Sequence, residues 1–104
     1  MREDGGPGLK VVVRLATALR AHAGGAAHLE LDLDPPVTVG AVLDAVAADH
    51  PAVGRRVRDE VGALRTHVNV FVGQDNLRDL DDLDTEVGEG VEVAIMAAVS
   101  GGSR

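Results

Sequence analysis

Two consecutive glycines near the end of the chain, Gly101 and Gly102, are the residues best suited to chemistry. Glycine carries no side chain and loses more backbone entropy on ordering than any other residue, so the pair adds nothing to a packed core. A Gly-Gly tail is thin, and it can enter a narrow active site of another protein to present an unhindered carboxylate. The pair therefore predicts a carrier whose reactive group is its own C-terminus.

The rest of the chain offers few groups for catalysis. It contains no cysteine, which excludes a thiol nucleophile, a disulfide framework and a cysteine-ligated zinc site. Four histidines are scattered without metal-site spacing, and we interpret them as ordinary surface residues: His22, His28, His50 and His67. We therefore expect a protein cosubstrate that has no catalytic residue, no metal and no bound cofactor of its own.

The net charge of −7 is concentrated in one segment. Residues 75–92 carry eight carboxylates against one cation, Arg78, so the remainder of the chain is neutral. Such a segment repels phosphate backbones and argues against nucleic-acid binding. It is either a solvated acidic loop or a surface that steers the chain toward a basic partner. The basic run Arg55-Arg56-Val57-Arg58 favours a solvated helix face over contact with an acidic partner.

The ends of the chain set the predicted domain boundaries. Residues 1–8 lack the apolar centre of a signal peptide, and no stretch approaches the roughly 18 apolar residues of a membrane span. We expect a cytoplasmic protein without a membrane segment. Residues 1–8 are expected to form a disordered tail, residues 9–98 a folded domain, and residues 99–104 a flexible C-terminal tail.

Hydrophobic periodicity predicts the elements of the first half. Period-two alternation over Leu9–Leu15 and over His28–Leu33 predicts a hairpin, with a turn at residues 23–26. Thr38 is a suitable N-cap for a helix that should end at His50-Pro51. A second helical stripe is expected between Ala52 and Leu64, formed by Val53, Val57, Val61 and Leu64.

The second half returns to strands. Residues 68–72 alternate and predict a third strand, followed by a turn at residues 73–76 and a short segment around Leu77 and Leu80. A single turn is expected at residues 84–87, and residues 91–97 should form the last strand. This order predicts an α+β fold of the ubiquitin-like β-grasp type, in which a mixed sheet packs on one main helix and an extended Gly-Gly tail follows.

Strand parity predicts an exposed apolar patch. If Val68 and Val70 point inward, then Phe71 points to the open face of the sheet, and so do Ala94, Met96 and Ala98. A lone aromatic beside a flexible Met suits a recognition surface. The alternative is that Phe71 folds over the sheet edge or under the segment from Ala52 to Leu64.

Three stretches give the chain a family resemblance: residues 19–25, residues 68–72, and residues 88–93 leading to residues 97–102. The chain resembles the sulfur-carrier branch of the ubiquitin-like β-grasp proteins. This branch includes the small subunit of molybdopterin synthase, the thiamine sulfur carrier and the thiocarboxylate carrier of a cysteine pathway. The length of residues 52–67 favours the cysteine-pathway type.

The resemblance implies a mechanism. A ubiquitin-activating-like adenylyltransferase would use ATP to convert the Gly102 carboxylate to an acyl adenylate, and a persulfide would replace AMP to leave a thiocarboxylate. The sulfur would pass to a biosynthetic enzyme that makes cysteine, molybdopterin or another sulfur metabolite. Val99 and Ser100 would belong to the tail with Gly101. An arginine matching Arg20 meets the activating enzyme in the family, which favours the recognition interpretation of the patch.

Two further residues, Ser103 and Arg104, block the Gly102 carboxylate as a peptide bond. The resemblance implies that a metal-dependent peptidase removes them, and a cloning remnant is the other explanation. Two other functions also remain open. The chain could be a protein modifier joined to lysines by isopeptide bonds, or an interaction module in which the Gly-Gly pair is incidental.

Overall fold

Five strands form one mixed sheet in the computed structural model, which describes residues 8–97. In chain order they are β1 (Leu9–Leu15), β2 (His28–Leu33), β3 (Val68–Val72), β4 (Asp75–Asn76) and β5 (Glu92–Ala97). Their order across the sheet is β2-β1-β5-β3-β4. The first and last strands are parallel neighbours, whereas the other paired strands are antiparallel. This is the predicted α+β arrangement of a β-grasp fold.

The first hairpin follows the predicted alternation. Leu9, Val11, Val13 and Leu15 are buried on one face of β1, while Lys10 and Arg14 are exposed on the other. The connection between β1 and β2 is more than the expected turn, because it contains helix α1 (Thr17–Arg20) and a 3₁₀ turn over Ala21–Ala23. Leu19 fixes this connection to the core. Gly24 and Gly25 then adopt φ values of 68° and 89°, which favour glycine.

The main helix, α2, spans Val39–Asp49 and begins as predicted. The Thr38 hydroxyl accepts a hydrogen bond from the Ala41 amide at 3.2 Å. Its buried residues Val39, Val42, Leu43 and Val46 join the core formed by the inner face of the sheet. The helix ends where His50 precedes Pro51, since proline disfavours helical backbone at the residue before it.

The prediction of a helical stripe through Val61 is wrong. A second helix, α3 (Pro51–Val57), buries Val53 and Val57 and then stops. The Asp59 carboxylate accepts hydrogen bonds from the amides of Val61 and Ala63, both at 3.0 Å, and these local bonds compete with helix continuation. Val61 therefore lies in a loop and is 84% exposed.

The acidic segment also differs from the prediction. Its 3₁₀ turns cover Leu77–Asp79 and Asp82–Asp84, so the turn expected at residues 84–87 lies two residues earlier. Glu86 instead forms an isolated bridge with Thr38, and the Val87 amide donates to the Val37 carbonyl at 2.8 Å. Leu77 is buried, whereas Leu80 is 41% exposed. The segment is therefore attached to the start of α2.

Helices α2 and α3 pack closely at Gly54. A Cβ at this position would lie 2.5 Å from the Ala47 Cβ and 3.1 Å from its Cα. We expect Gly54→Ala to lower the free energy of unfolding by about 1 to 3 kcal/mol, because separating the helices outweighs the gain of about 1 kcal/mol in helix propensity. Urea denaturation would measure the change.

The matched control moves the methyl group to the other helix. In an Ala47→Gly background, Gly54→Ala should lower the free energy of unfolding by markedly less, since the Cβ–Cβ clash is gone and only the 3.1 Å contact with the Cα of residue 47 opposes the propensity gain of about 1 kcal/mol. A loss of the same size in both backgrounds would contradict close packing as the cause.

Between residues 8 and 97, the structure contains no helix long and apolar enough to cross a membrane. The predicted tails, residues 1–8 and 99–104, lie outside the described residues except for Gly8, and so does Ala98, the last residue of the predicted domain.

Candidate functional site

The predicted site residues divide into two groups. Phe71, Met96 and Arg20 lie within the described chain. The others lie outside it: Ala98, Val99, Ser100, Gly101, Gly102, Ser103 and Arg104. The structure therefore describes the strand that precedes residues 98–104 and the sheet surface around that strand. That strand, β5, lies between β1 and β3 at the centre of the sheet.

The sheet register brings Phe71 and Met96 to the same face. Phe71 on β3 pairs with Ala94 on β5. Asn69, two residues before Phe71, pairs with Met96, two residues after Ala94. The inward residues Val70 and Ile95 are fully buried, while Phe71 and Met96 are half-buried on the face away from α2. We call Phe71, Ala94 and Met96 the open-face patch.

Ala94 lies at the centre of this patch. It is only 3% exposed although it belongs to the outer face. Its register partners are Phe71 on β3 and Arg14 on β1, and both larger side chains flank the alanine methyl. The result is a shallow apolar surface with a small residue at its middle and larger residues beside it.

Charged pairs form the rim of the patch on the β1 side. Arg14 Nε lies 3.2 Å from Glu92 Oε1, and Lys10 Nζ lies 4.0 Å from Glu30 Oε1. All four side chains are well exposed, so these pairs contribute little to stability. An apolar centre with a polar rim is the general composition of a protein interface.

Arg20 is held at the end of β1. Its Nε donates a hydrogen bond to the Leu15 carbonyl at 3.0 Å, which ties α1 to the strand that it follows. Leu15 is the register partner of Ile95 on β5, so Arg20 lies at the end of the sheet from which residues 98–104 continue. A role of this arginine in binding a partner stays a prediction.

Sequence patterns missed a second surface at the same end of the sheet. A cleft brings His22, Arg56 and Arg65 together beside Ala97, the last described residue of β5. The run Arg55-Arg56 was a visible signal, but periodicity assigned it to a solvated helix face. His22 lies 34 residues before Arg56 in the chain, and the two side chains meet only in the fold. Within residues 8–97, no group of three or more His, Asp or Glu side chains is arranged to hold a metal ion.

Comparisons with known proteins agree with this architecture. The sequence model of the ThiS family matches residues 13–102, a range that includes both tail glycines. The sulfur carrier protein CysO of Mycobacterium tuberculosis is 32% identical over 96 residues, which cover 90% of this chain and 100% of that protein.

Two solved structures extend the comparison. The crystal structure of Haloferax volcanii small archaeal modifier protein 1 superposes with a TM-score of 0.77 at 30% identity, covering 88% of this chain and 100% of the other. The Amycolatopsis orientalis BexX/CysO complex contains a chain with a TM-score of 0.74 at 33% identity, covering 88% of this chain and 98% of that one.

Proposed function

The chain belongs to the ThiS family, and we propose on that basis that it is a sulfur carrier whose Gly102 is converted to a thiocarboxylate. The observation that carries the proposal is the extent of the family match, which continues past the sheet and through Gly101-Gly102. The similarity to a mycobacterial sulfur carrier over 90% of this chain supports the same function. In this role the chain is a cosubstrate of other enzymes.

The proposed reaction proceeds in two stages. A Gly102 carboxylate oxygen attacks the α-phosphorus of ATP on a separate adenylyltransferase, and pyrophosphate leaves. The terminal sulfur of a persulfide then attacks the acyl carbon and displaces AMP, and a thiol cleaves the sulfur–sulfur bond to release the thiocarboxylate. This sulfur is a good nucleophile, and the accepting enzyme has to orient it toward an electrophile. Cysteine, molybdopterin or another sulfur metabolite would be the product.

We assign the open-face patch to recognition of the activating enzyme. Phe71 and Met96 offer apolar contact area next to the strand that leads into the tail, and Arg14 and Glu92 offer a polar rim. The solved BexX/CysO complex contains a chain similar to this one, so a protein similar to this chain binds a second protein. Arg20 would add a cation at the tail end of the same sheet.

Removal of Ser103 and Arg104 precedes activation in this proposal, since Gly102 needs a free carboxylate. A metal-dependent peptidase would cut after Gly102. We expect the protein isolated from its native cells to lack these two residues, with part of the population carrying sulfur in place of one Gly102 oxygen. Intact-mass measurement before and after alkylation would detect both changes. A population that always ends at Arg104 and gains no sulfur would contradict the carrier function.

A second candidate is a protein modifier attached to lysines. The similarity to a small archaeal modifier protein, at a TM-score of 0.77, favours this alternative. Both functions use the same activated glycine, so the product distinguishes them. A carrier yields a thiocarboxylate that is consumed by a small-molecule acceptor, whereas a modifier yields a ladder of larger conjugates that contain this chain.

A further inference from the structure

A cleft of about 410 Å³ opens where β5 ends, and its polar lining is basic. Five cationic or ionisable side chains surround it, and no carboxylate of residues 8–97 lines it. They come from the turn after α1, from α3, and from the loop before β3. We call these residues the basic cleft: His22, Arg55, Arg56, Arg65 and His67, with Ala97 at its β5 side.

Neutral acceptors hold two of the cleft arginines. Arg56 Nε donates to His22 Nε2 at 2.7 Å, and Arg65 Nε donates to the Arg55 carbonyl oxygen at 2.9 Å. Within the described chain, the ion pairs involve Lys10, Arg14 and Arg58 but none of the three cleft arginines. Each guanidinium has five N–H donors, so most of these donors remain available to an anion.

A cluster of positively charged side chains is unusual in a chain whose net charge is negative. The chain carries a net charge of −7, and residues 75–92 account for all of it. Arg55, Arg56 and Arg65 line one cleft, and within residues 8–97 none of them forms an ion pair with a carboxylate, so their like charges oppose one another. An external group with several negative charges would relieve this repulsion and accept bidentate hydrogen bonds from the guanidinium groups.

We propose that the basic cleft binds a short acidic segment of a partner protein. The cleft volume accommodates a few carboxylate side chains, and Leu19 and Ala97 give it an apolar floor on which the aliphatic part of such a segment can pack. A long nucleic acid is disfavoured, because residues 75–92 would repel the rest of its backbone. The occupant is therefore a short polyanion and has the chemistry of an Asp- or Glu-rich peptide.

The position of the cleft identifies the kind of partner. Val68 pairs with Ala97, which places the adjacent His67 at the end of β5. Gly102 is the fifth residue after Ala97, and five residue steps of fully extended chain span at most about 18 Å. A protein that receives Gly102 in its active site must therefore have its outer surface beside the cleft. This placement rests on the proposed function, whereas the binding of an acidic segment does not.

The test is an NMR titration of the ¹⁵N-labelled chain with a hexaglutamate peptide at low salt. We expect amide shifts centred on His22, Arg56 and Arg65, and binding that weakens as salt is added. Arg55→Gln/Arg56→Gln should weaken binding by about tenfold or more, the expected loss from two charge contacts. Arg55→Lys/Arg56→Lys should weaken binding less than the Gln pair does, since lysine keeps the charge but loses the bidentate hydrogen bonds. The amide spectra themselves report whether each variant is folded.

A charge-matched control distinguishes a site from general attraction. Lys10→Gln/Arg14→Gln removes the same number of cations from the open sheet face and should change the affinity by less than about twofold. Equal weakening by this control, or shifts spread over the whole surface, would overturn the proposal. Tighter binding of a short oligothymidine at the same amides would overturn it in favour of a phosphate site. The titration uses no activating enzyme, so its outcome is independent of whether Gly102 carries sulfur.

Discussion

A chain that ends at Gly102 is expected to support ATP–pyrophosphate exchange by its cognate activating enzyme, and the chain that ends at Arg104 is expected to support none. The acyl adenylate forms only on a free carboxylate, and the peptide bond to Ser103 removes that group from Gly102. We expect the chain that ends at Arg104 to give no exchange above background, whereas a surface substitution would only reduce the exchange rate. Exchange of labelled pyrophosphate into ATP measures it directly.

A chain that ends at Ser103 is the matched control for this experiment. It has a free carboxylate at nearly the same position, but the carboxylate belongs to a serine and lies one residue further out. We expect it to be inactive, because a narrow active site that admits two glycines excludes the serine side chain. Equal exchange from all three chains, with no trimming detected by mass measurement, would mean that Gly102 is not the activated residue.

Charge substitutions on opposite faces of β3 and β5 are expected to have opposite consequences. Val70→Asp should unfold the domain, since Val70 and its register partner Ile95 are both fully buried. An unpaired buried carboxylate costs several kcal/mol, which is comparable to the whole stability of a domain this small. Circular dichroism and urea denaturation would measure the loss.

Met96→Asp and Phe71→Asp should leave the domain folded. Both side chains lie on the outer face, so we expect each substitution to cost about 1 kcal/mol of stability or less. Affinity for the activating enzyme should fall by roughly thirtyfold, equivalent to about 2 kcal/mol, because the new carboxylate would be buried in an apolar interface. If both variants fold and bind normally, the partner recognises only the tail.

Sequence patterns predicted β1, β2, β3 and β5 because the inner face of this sheet is built almost entirely from alternating aliphatic residues, whereas the two-residue β4 lies in the predicted turn at residues 73–76. The alternation in β1 and β3 sets both the strand bounds and the direction of Phe71. The main helix was equally accessible, since Thr38 begins it and Pro51 ends it through local backbone effects. These features depend on neighbours in the chain, which a sequence displays directly.

Other features depend on contacts that the sequence does not display. Helix α1 has only four residues and no side-chain cap, so periodicity has too little length to indicate it. The end of α3 depends on one carboxylate, Asp59, which binds two amides of the following loop. The basic cleft forms only because α3 packs near the turn that carries His22, and because Arg65 reaches back to the Arg55 carbonyl.

The central position of β5 has a mechanical consequence. In the proposed function, an enzyme that binds the C-terminus would pull along β5, which is hydrogen-bonded to β1 on one side and to β3 on the other. Because β1 runs parallel to β5, a pull between the two termini loads their shared hydrogen bonds in shear, and they must break together. An edge strand would peel away one bond at a time. This arrangement of β1 and β5 would therefore resist unfolding if the proposed partner enzymes pulled on the C-terminus.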